Sequence, residues 1–555
     1  MQVAEIVVRI LEKEGIKHAF GIPGASINPV FKYLKTSSIK HHLMRHEEAA
    51  VHAADAYYRA SLCISMAICT SGPGATNFIT GLYTAKIDSI PLIAITGQAK
   101  SNQLGTDAFQ CVDIVSISRE VVKKAVCVRD PEKIVEILQD VIYTSKAGRP
   151  GPVLVDLPLD IQMAEVEFNL DSYQSKPVEP IMPNWMDLER AVALLDCASN
   201  PLIIAGGGVI LSQAEKELIA FAELMQIPVI TTYMAKGCLP ENHSLNAGMV
   251  GIQVGAISSG NALFLESDLI LGIGCRFTDR HTGALDIYKG ERKFIHIDID
   301  TKEIGKLIPV ELGIVSDAKQ ALLGLLKIAE VKGNRKGSER VATISEKKRD
   351  AEYTLAMNGS IIDPRDVFIK VNEIFGDDAM YTTGCGLAQI WSGQLQKINR
   401  SRTYFPSGGA GTLGFDIPAA IGASVAKGGA KTLCMMGDFG FTFLVEELAV
   451  AVKYHLPIVV IILNNAYLSL IRQNQKYVYQ YEHEVAMEEN ISLIDYCKVS
   501  EGFGCLAERV STYGELGAVL ERAKRSDRPY VVEILVNRQT DCSMGNDIAH
   551  INKFN

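Results

Sequence analysis

The chain has 555 residues, 48% of them hydrophobic and 21% charged, and 55 Lys and Arg against 64 Asp and Glu leave a net charge of −9. At roughly 150 residues per domain this length predicts three or four domains with sizeable cores. The balance is that of a soluble globular protein; it excludes a fibrous or disordered chain, speaks against a nucleic-acid partner, and leaves no apolar run long enough to span a bilayer.

The N-terminus predicts a helix rather than a secretory leader. Glu5, Arg9, Glu12 and Lys13 interrupt any apolar core, and Val3, Ile6, Val7, Ile10 and Leu11 fall on one helical face. The runs HAFGIP, SMAICTSGP, PLIAITGQ, AVCV and PVLVDLP then alternate with helical stretches. Short apolar runs ending in Gly, Pro or Asn predict parallel strands with loops at their carboxyl ends. Within this block Arg45-His46-Glu47-Glu48 leads into the small-residue helix AAVHAADAYYRAS, and Thr70 to Asn77 forms a glycine-rich turn into a further helix.

From about 165 to 190 the chain becomes polar, with Pro177, Pro180 and Pro183, and predicts a linker. A middle block follows with PLIIAGGGVI, IPVITT, DLILGIG and KFIHIDID, in which Leu202–Ile210 predicts a buried strand. Residues 331–352 are charged and predict a solvated helix or connection. The last block repeats the scheme with AMYTTG, KTLCMMGD, PIVVIILNN and PYVVEILV. The fold class is therefore α/β, three doubly wound domains with mostly parallel sheets, over 1–165, 186–330 and 360–545. The twelve cysteines lie singly with no C-x-x-C pair, which predicts reduced thiols of a cytoplasmic protein.

The chemistry is sharpest in the last block. Strand KTLCMM runs into Gly437-Asp438-Phe439-Gly440, and the next strand ends in Asn464-Asn465. A carboxylate and an amide oxygen at the carboxyl ends of neighbouring strands are hard ligands at the mouth of a crevice, suited to Mg²⁺ completed by phosphate oxygens. Taken separately, each motif also reads as an ordinary turn.

Together they resemble the signature of the thiamine-diphosphate-dependent enzymes, a glycine-aspartate-glycine followed by a double asparagine. The resemblance implies that Asp438, Asn465 and the Tyr467 carbonyl hold Mg²⁺ on the diphosphate, with Phe439, Gly440 and Leu468 beside it. Phe439 replaces the usual small residue. It further implies that Gly386, Leu387 and Ala388 contact the diphosphate, and that Leu413, after Gly411, wedges between the cofactor rings. In the first block it makes Glu47 the catalytic glutamate on the pyrimidine, where a carboxylate promotes the tautomer that removes the C2 proton. Pro23 and Asn77 become pyrimidine-side contacts. Alone, a glutamate at this position also reads as a helix-start capping or dipole partner, and Glu48 is its rival.

The loop Leu104–Gln110 matches the acetolactate synthase version of an active-site loop, so Phe109 and Gln110 are expected to face substrate. The middle block resembles the flavin domain of the same subgroup, which implies FAD contacts from Arg149, Gly206, Gly207, Gly208, Thr232, Met249, Gly274, Arg276, Asp298 and Asp317. An inherited domain that binds nothing is the alternative. In this family the two cofactor halves meet across a subunit interface, which implies a homodimer at least and a homotetramer by analogy.

Two relatives compete. AGMVGIQ, RHTG, HIDID, LGIVSDAK, NNAYLSLIRQNQ and SMGNDI look most like glyoxylate carboligase, which characteristically has valine where this chain has Glu47. LGTDAFQ and GTLGFDIPAAIGA look more like acetolactate synthase. Leu470 and Asn474 stand where acetolactate synthase carries a methionine and a tryptophan, and a lost indole removes roughly 150–250 Å² of apolar contact. A compact, hydrated acceptor suits that change, although Asn474 could equally cap a helix or face solvent. The expected reaction is a decarboxylating carboligation of small 2-oxo acids, glyoxylate first and pyruvate as the alternative. A flavin oxidoreductase resembling pyruvate oxidase and a non-catalytic homologue are the more distant readings.

Overall fold

The computed structural model describes residues 1–255, 258–332, 339–351, 361–487 and 493–552. Its first sheet comprises β1 (His18–Gly21), β2 (Lys40–Leu43), β3 (Met66–Cys69), β4 (Ile93–Gln98), β5 (Lys124–Cys127) and β6 (Val153–Pro158), in the order β2-β1-β3-β4-β6-β5. The third sheet comprises β13 (Met380–Thr383), β14 (Tyr404–Pro406), β15 (Thr432–Gly437), β16 (Ile458–Asn464), β17 (Leu506–Val510) and β18 (Tyr530–Leu535), in the order β14-β13-β15-β16-β18-β17. The two outer domains thus share one topology, and every pairing in both sheets is parallel. Parallel sheets need cover on both faces, which is why β4 and β16 are buried at every position.

Between them lies a sheet of β7 (Pro201–Ala205), β8 (Val229–Thr231), β9 (Asn246–Met249), β10 (Leu269–Ile273), β11 (Lys293–Asp298) and β12 (Leu312–Val315), ordered β12-β11-β10-β7-β8-β9. This is the dinucleotide-binding order, with its direction reversing between β7 and β10. In the outer domains the reversal falls between β1 and β3 and between β13 and β15. Crevices at the carboxyl ends of such pairs are where open parallel sheets bind ligands.

The N-terminal helix runs Val3–Lys13, and the five apolar residues expected on its inner face are all fully buried. Two expectations are corrected. The apolar run Leu202–Ile210 is a strand only to Ala205; Gly206 breaks it, and Gly207–Leu211 is helical. The charged stretch 331–352 is helical over its described part, one of the two forms expected, but it is not wholly solvated. Helices Glu339–Ala342 and Ile344–Ala351 fold back on the middle domain, with Ile344 in its core and the Arg340 guanidinium donating to the Asn200 carbonyl at 3.0 Å. Residues 333–338 and 352–360 lie outside the described residues. The polar segment before Trp185 holds only a short 3₁₀ turn and is tied at both ends, the Met1 ammonium donating to Val166 O and Asp317 N donating to Ile181 O, each at 2.9 Å.

The first and third domains are joined by helices Glu47–Ser61 and Asp416–Ala426. At Gly422 the helices approach so closely that a Cβ would sit 2.0 Å from the Ala53 carbonyl oxygen. A buried ion network lies alongside. Arg59 Nε donates to Asp55 at 2.5 Å and Nη2 to Asp88 at 2.9 Å, while Nη1 reaches the Pro406 carbonyl at 2.8 Å. Asp88 also accepts the Gly409 N–H at 2.8 Å. Gly422→Ala is expected to cost about 1–3 kcal/mol through overpacking, read as a lower thermal midpoint. Arg59→Met leaves two buried carboxylates uncompensated and is expected to cost about 3–5 kcal/mol in denaturant unfolding, more than the glycine change.

Candidate active site

The loops at the carboxyl ends of the neighbouring strands β15 and β16 carry three oxygens, of Asp438, Asn465 and Tyr467. Asp438 starts a short helix directly after β15 and is 2% exposed. It accepts backbone N–H groups from Phe439 at 2.9 Å and Ala466 at 2.5 Å, and burial pushes its carboxyl pKa up to about 7. Such a desolvated carboxylate gains from a cation. Asn465 Oδ1 and the Tyr467 carbonyl lie 2.9 and 3.1 Å from one hydroxyl, Ser469 Oγ, so the two oxygens face a common point. A carboxylate, an amide and a carbonyl oxygen form a hard donor set that fits Mg²⁺. Asn464, the other half of the pair, is structural: its amide donates to the buried Glu533 at 2.8 Å.

Around this point the loops open. Gly386 (φ +88°) starts helix Leu387–Leu395, and a Cβ there would meet nothing within 4 Å, a backbone free to approach phosphate oxygens. Leu387 and Ala388 are buried in its first turn. Gly411 (φ +62°) lets the loop turn so that Leu413 comes beside Gly440, its Cδ2 3.9 Å from where a Cβ would be. Phe439 stacks edge-on against Phe443 at 5.3 Å, which is how the loop accommodates a phenyl in place of a small residue. Leu468 N donates to Val485 O at 2.8 Å and fixes the turn after Tyr467.

The first domain contributes a carboxylate. Glu47 opens helix Glu47–Ser61 but does not cap it, because the His46 ring accepts the Glu48 N–H at 3.1 Å. His46 thus takes the capping role, while Glu47, in the first turn, still meets the positive end of the helix dipole. Glu47 Oε2 accepts from Asn77 Nδ2 at 2.8 Å, and Oε1 lies 3.2 Å from the Cβ that Gly74 lacks. Glu48 is engaged elsewhere, 3.3 Å from His52 Nε2. Gln110 (φ +55°) packs over the Gly72 turn, whereas Phe109 is 88% exposed in the single chain and reaches none of these groups. Pro23 is exposed on the loop after β1.

A cavity of about 700 Å³ lies at the β7/β10 reversal and is walled by all three domains. Nine of the ten residues expected around a flavin line it: Arg149, Gly206, Gly207, Gly208, Thr232, Gly274, Arg276, Asp298 and Asp317. Met249 does not; it lines a second cavity with Lys236 and Asn246. The strand ends touch, Gly208 N donating to Gly274 O at 3.1 Å, and a Cβ on Gly206 would be 2.1 Å from that oxygen. Burial and the nearby Arg276 charge lower the Arg149 pKa, while its ion pair with Glu303 at 3.3 Å and the Asp298 and Asp300 charges oppose that shift. Burial raises Asp298 to about 6. Asp317 is partly committed, accepting from Ser212 Oγ at 2.7 Å and Gln320 N at 3.1 Å.

Leu470 and Ile471 bring the third domain to this cavity, while Asn474, one turn on, is exposed and does not line it. The expectation that Asn474 faces the acceptor is therefore not met in the single chain. Sequence reading passed over Arg280, which lines the cavity within RHTG; with the Gln253 amide turned so that its oxygen faces the guanidinium, Arg280 donates to it at 3.1 and 3.3 Å. A lone arginine in a charged motif gives no signal of which way it faces.

Comparison with known proteins agrees with this geometry. Three family descriptions match in order: "Thiamine pyrophosphate enzyme, N-terminal TPP binding domain" over 1–117, the central domain over 188–325 and the C-terminal TPP binding domain over 384–534. The chain is 42% identical to the glyoxylate carboligase of Escherichia coli, covering 100% of this chain and 96% of that protein. It is 38% identical to a probable acetolactate synthase large subunit of Methanocaldococcus jannaschii (97% and 92% covered) and 38% identical to the acetolactate synthase large subunit of Corynebacterium glutamicum (96% and 86%). With its paired parallel outer sheets and the oxygen cluster at β15 and β16, the chain belongs to the thiamine-diphosphate-dependent enzymes, in the family that includes glyoxylate carboligase and acetolactate synthase.

Proposed function

We propose that the protein joins two small 2-oxo acids with loss of CO₂, and that its preferred reaction converts two molecules of glyoxylate to tartronate semialdehyde. The single observation that carries a catalytic reading is the Glu47 carboxylate, held by Asn77 and given room by Gly74. When bound, thiamine diphosphate supplies a C2 carbanion and an electron sink for decarboxylation and carbon–carbon bond formation. Glu47 holds a proton at the pyrimidine ring nitrogen. Asp438, Asn465 and the Tyr467 carbonyl would hold Mg²⁺, the Gly386–Ala388 turn would take the diphosphate, and Leu413 would contact the cofactor.

Domain 1–165 takes the pyrimidine, 360–545 the diphosphate, and 186–330 carries FAD in the 700 Å³ cavity. Its volume suits a cofactor, and the Arg149–Arg276 pair suits a pyrophosphate. Arg280, beside Leu470 on the same cavity, offers a cation to a substrate carboxylate. Exposed Phe109 and half-buried Gln110 belong to a site completed by a partner subunit, so the active form is a homodimer or homotetramer, here placed in the cytoplasm.

Acetolactate synthesis from pyruvate is the second reading, favoured by the presence of a glutamate at position 47. The test offers glyoxylate, pyruvate and 2-oxobutyrate, singly and in pairs, to enzyme loaded with thiamine diphosphate, Mg²⁺ and FAD. Tartronate semialdehyde as the main product supports the first reading; acetolactate from pyruvate alone overturns it. Substrate-driven flavin bleaching with oxygen consumption would instead indicate an oxidoreductase. Glu47→Gln is expected to lower CO₂ release about 10²- to 10⁴-fold at saturating cofactor, and unchanged release would remove the catalytic role.

A further inference from the structure

We propose that Glu447, in the third domain, is a positioning residue for Glu47 of the same chain. The inference rests on Glu47 being the catalytic carboxylate. Glu447 ends a 3₁₀ turn, Val445–Glu447, directly before helix Leu448–Lys453, and is fully buried at the junction with the first domain. One oxygen, Oε1, accepts both the Arg45 N–H at 2.9 Å and the His46 N–H at 2.8 Å. These are the two residues immediately before Glu47.

The His46 ring in turn accepts the Glu48 N–H, so Glu447 fixes the backbone from which the helix start is capped. A side chain of another domain thereby sets the exit of the chain into the helix whose first residue is Glu47. The Asn77 amide donates to the Glu47 carboxylate at 2.8 Å and holds its tip. Base and tip of the glutamate are thus fixed from two sides.

The second oxygen of Glu447 is buried and has no hydrogen-bond partner among the described residues. Burial, with the neighbouring Glu446 charge, raises the carboxyl pKa to about 8, against the two N–H groups and Arg45, which lower it. A neutral acid that accepts through one oxygen is mimicked by glutamine, whose carbonyl can take both N–H bonds. Alanine cannot, and strands two buried donors.

A second contact at the same junction serves as the structural control. Tyr454 OH accepts the Leu43 N–H at 2.7 Å, four residues before Glu47 and on the same pair of elements. If Glu447 merely glued the domains, removing either contact would have the same consequences.

The readout is the rate at which bound thiamine diphosphate exchanges its C2 proton for deuterium, measured by quenched NMR on the enzyme loaded with cofactor and Mg²⁺ at saturation. Glu447→Ala is expected to slow exchange about 10- to 100-fold, the scale of a misplaced catalytic group. Glu447→Gln should restore it to within about threefold, and Tyr454→Phe should lower the thermal midpoint without slowing exchange. In a Glu47→Gln background Glu447→Ala should add no further loss. Should the alanine variant not fold, Glu447→Asp, one methylene short, takes its place.

Wild-type exchange in the folded alanine or aspartate variant overturns the proposal, as does a glutamine variant as slow as alanine or a Tyr454→Phe variant equally slow. If Glu47→Gln itself leaves exchange unchanged, the catalytic reading of Glu47 fails instead, which keeps the two failures distinguishable.

Discussion

Two helices set almost everything else in this molecule, because Gly422 lets one lie directly on the backbone of the other at Ala53. Helix Glu47–Ser61 carries Glu47 at its start and Arg59 near its end, while helix Asp416–Ala426 follows the loop bearing Gly411 and Leu413. Their contact locks two sheets of identical strand order into one body. Both sheets then present the carboxyl ends of strands, with their glycine turns, at fixed places. The Thr84 and Thr412 hydroxyls, 2.7 Å apart, and the Arg59–Asp88 network bind the loop after β14 to the first domain. A methyl group at position 422 would disturb all of these at once.

Charge satisfaction separates structure from chemistry. Arg59 has two carboxylates and a carbonyl, and Glu533 has Asn464 and Arg509, so both networks are closed within the protein. Among the described residues Asp438 accepts only backbone N–H groups, and Arg149, set beside the Arg276 charge, has Glu303 as its one ion-pair partner. Buried charges of this second kind are expensive unless a ligand completes them. In the proposed reading the ligands are Mg²⁺ with diphosphate at the first site and a pyrophosphate at the second.

The sequence was most legible where strands are buried on both faces. Every central strand shows as a continuous apolar run, as in PIVVIILNN and PLIAITGQ. In the three six-stranded sheets five strands escaped that reading, β2, β9, β12, β14 and β17, and each lies at the edge of its sheet. An edge strand is covered less and carries polar residues, as in KHHL and LAERV, so it lacks the run that betrays its neighbours. The same logic governs the site. Asp438, Asn465 and Glu47 follow strands or start helices in recognisable motifs, whereas Glu447 acts through Arg45 and His46, some 400 positions away in another domain, and Arg280 stands out only by the cavity that it lines. Asn474 failed as a cavity residue because its position within a helical turn was not fixed by its motif.

The account makes Glu47 of one protomer act on a cofactor whose diphosphate is held by Asp438 of its partner. Co-expressing a Glu47→Gln chain with an Asp438→Ala chain, differently tagged, tests this directly in the purified mixed dimer. If the site is shared, one of the two sites combines an intact Glu47 with an intact Asp438, and carboligation should return to about half the wild-type rate. A mixed dimer as inactive as either parent would contradict the account and place both halves of the site within one chain.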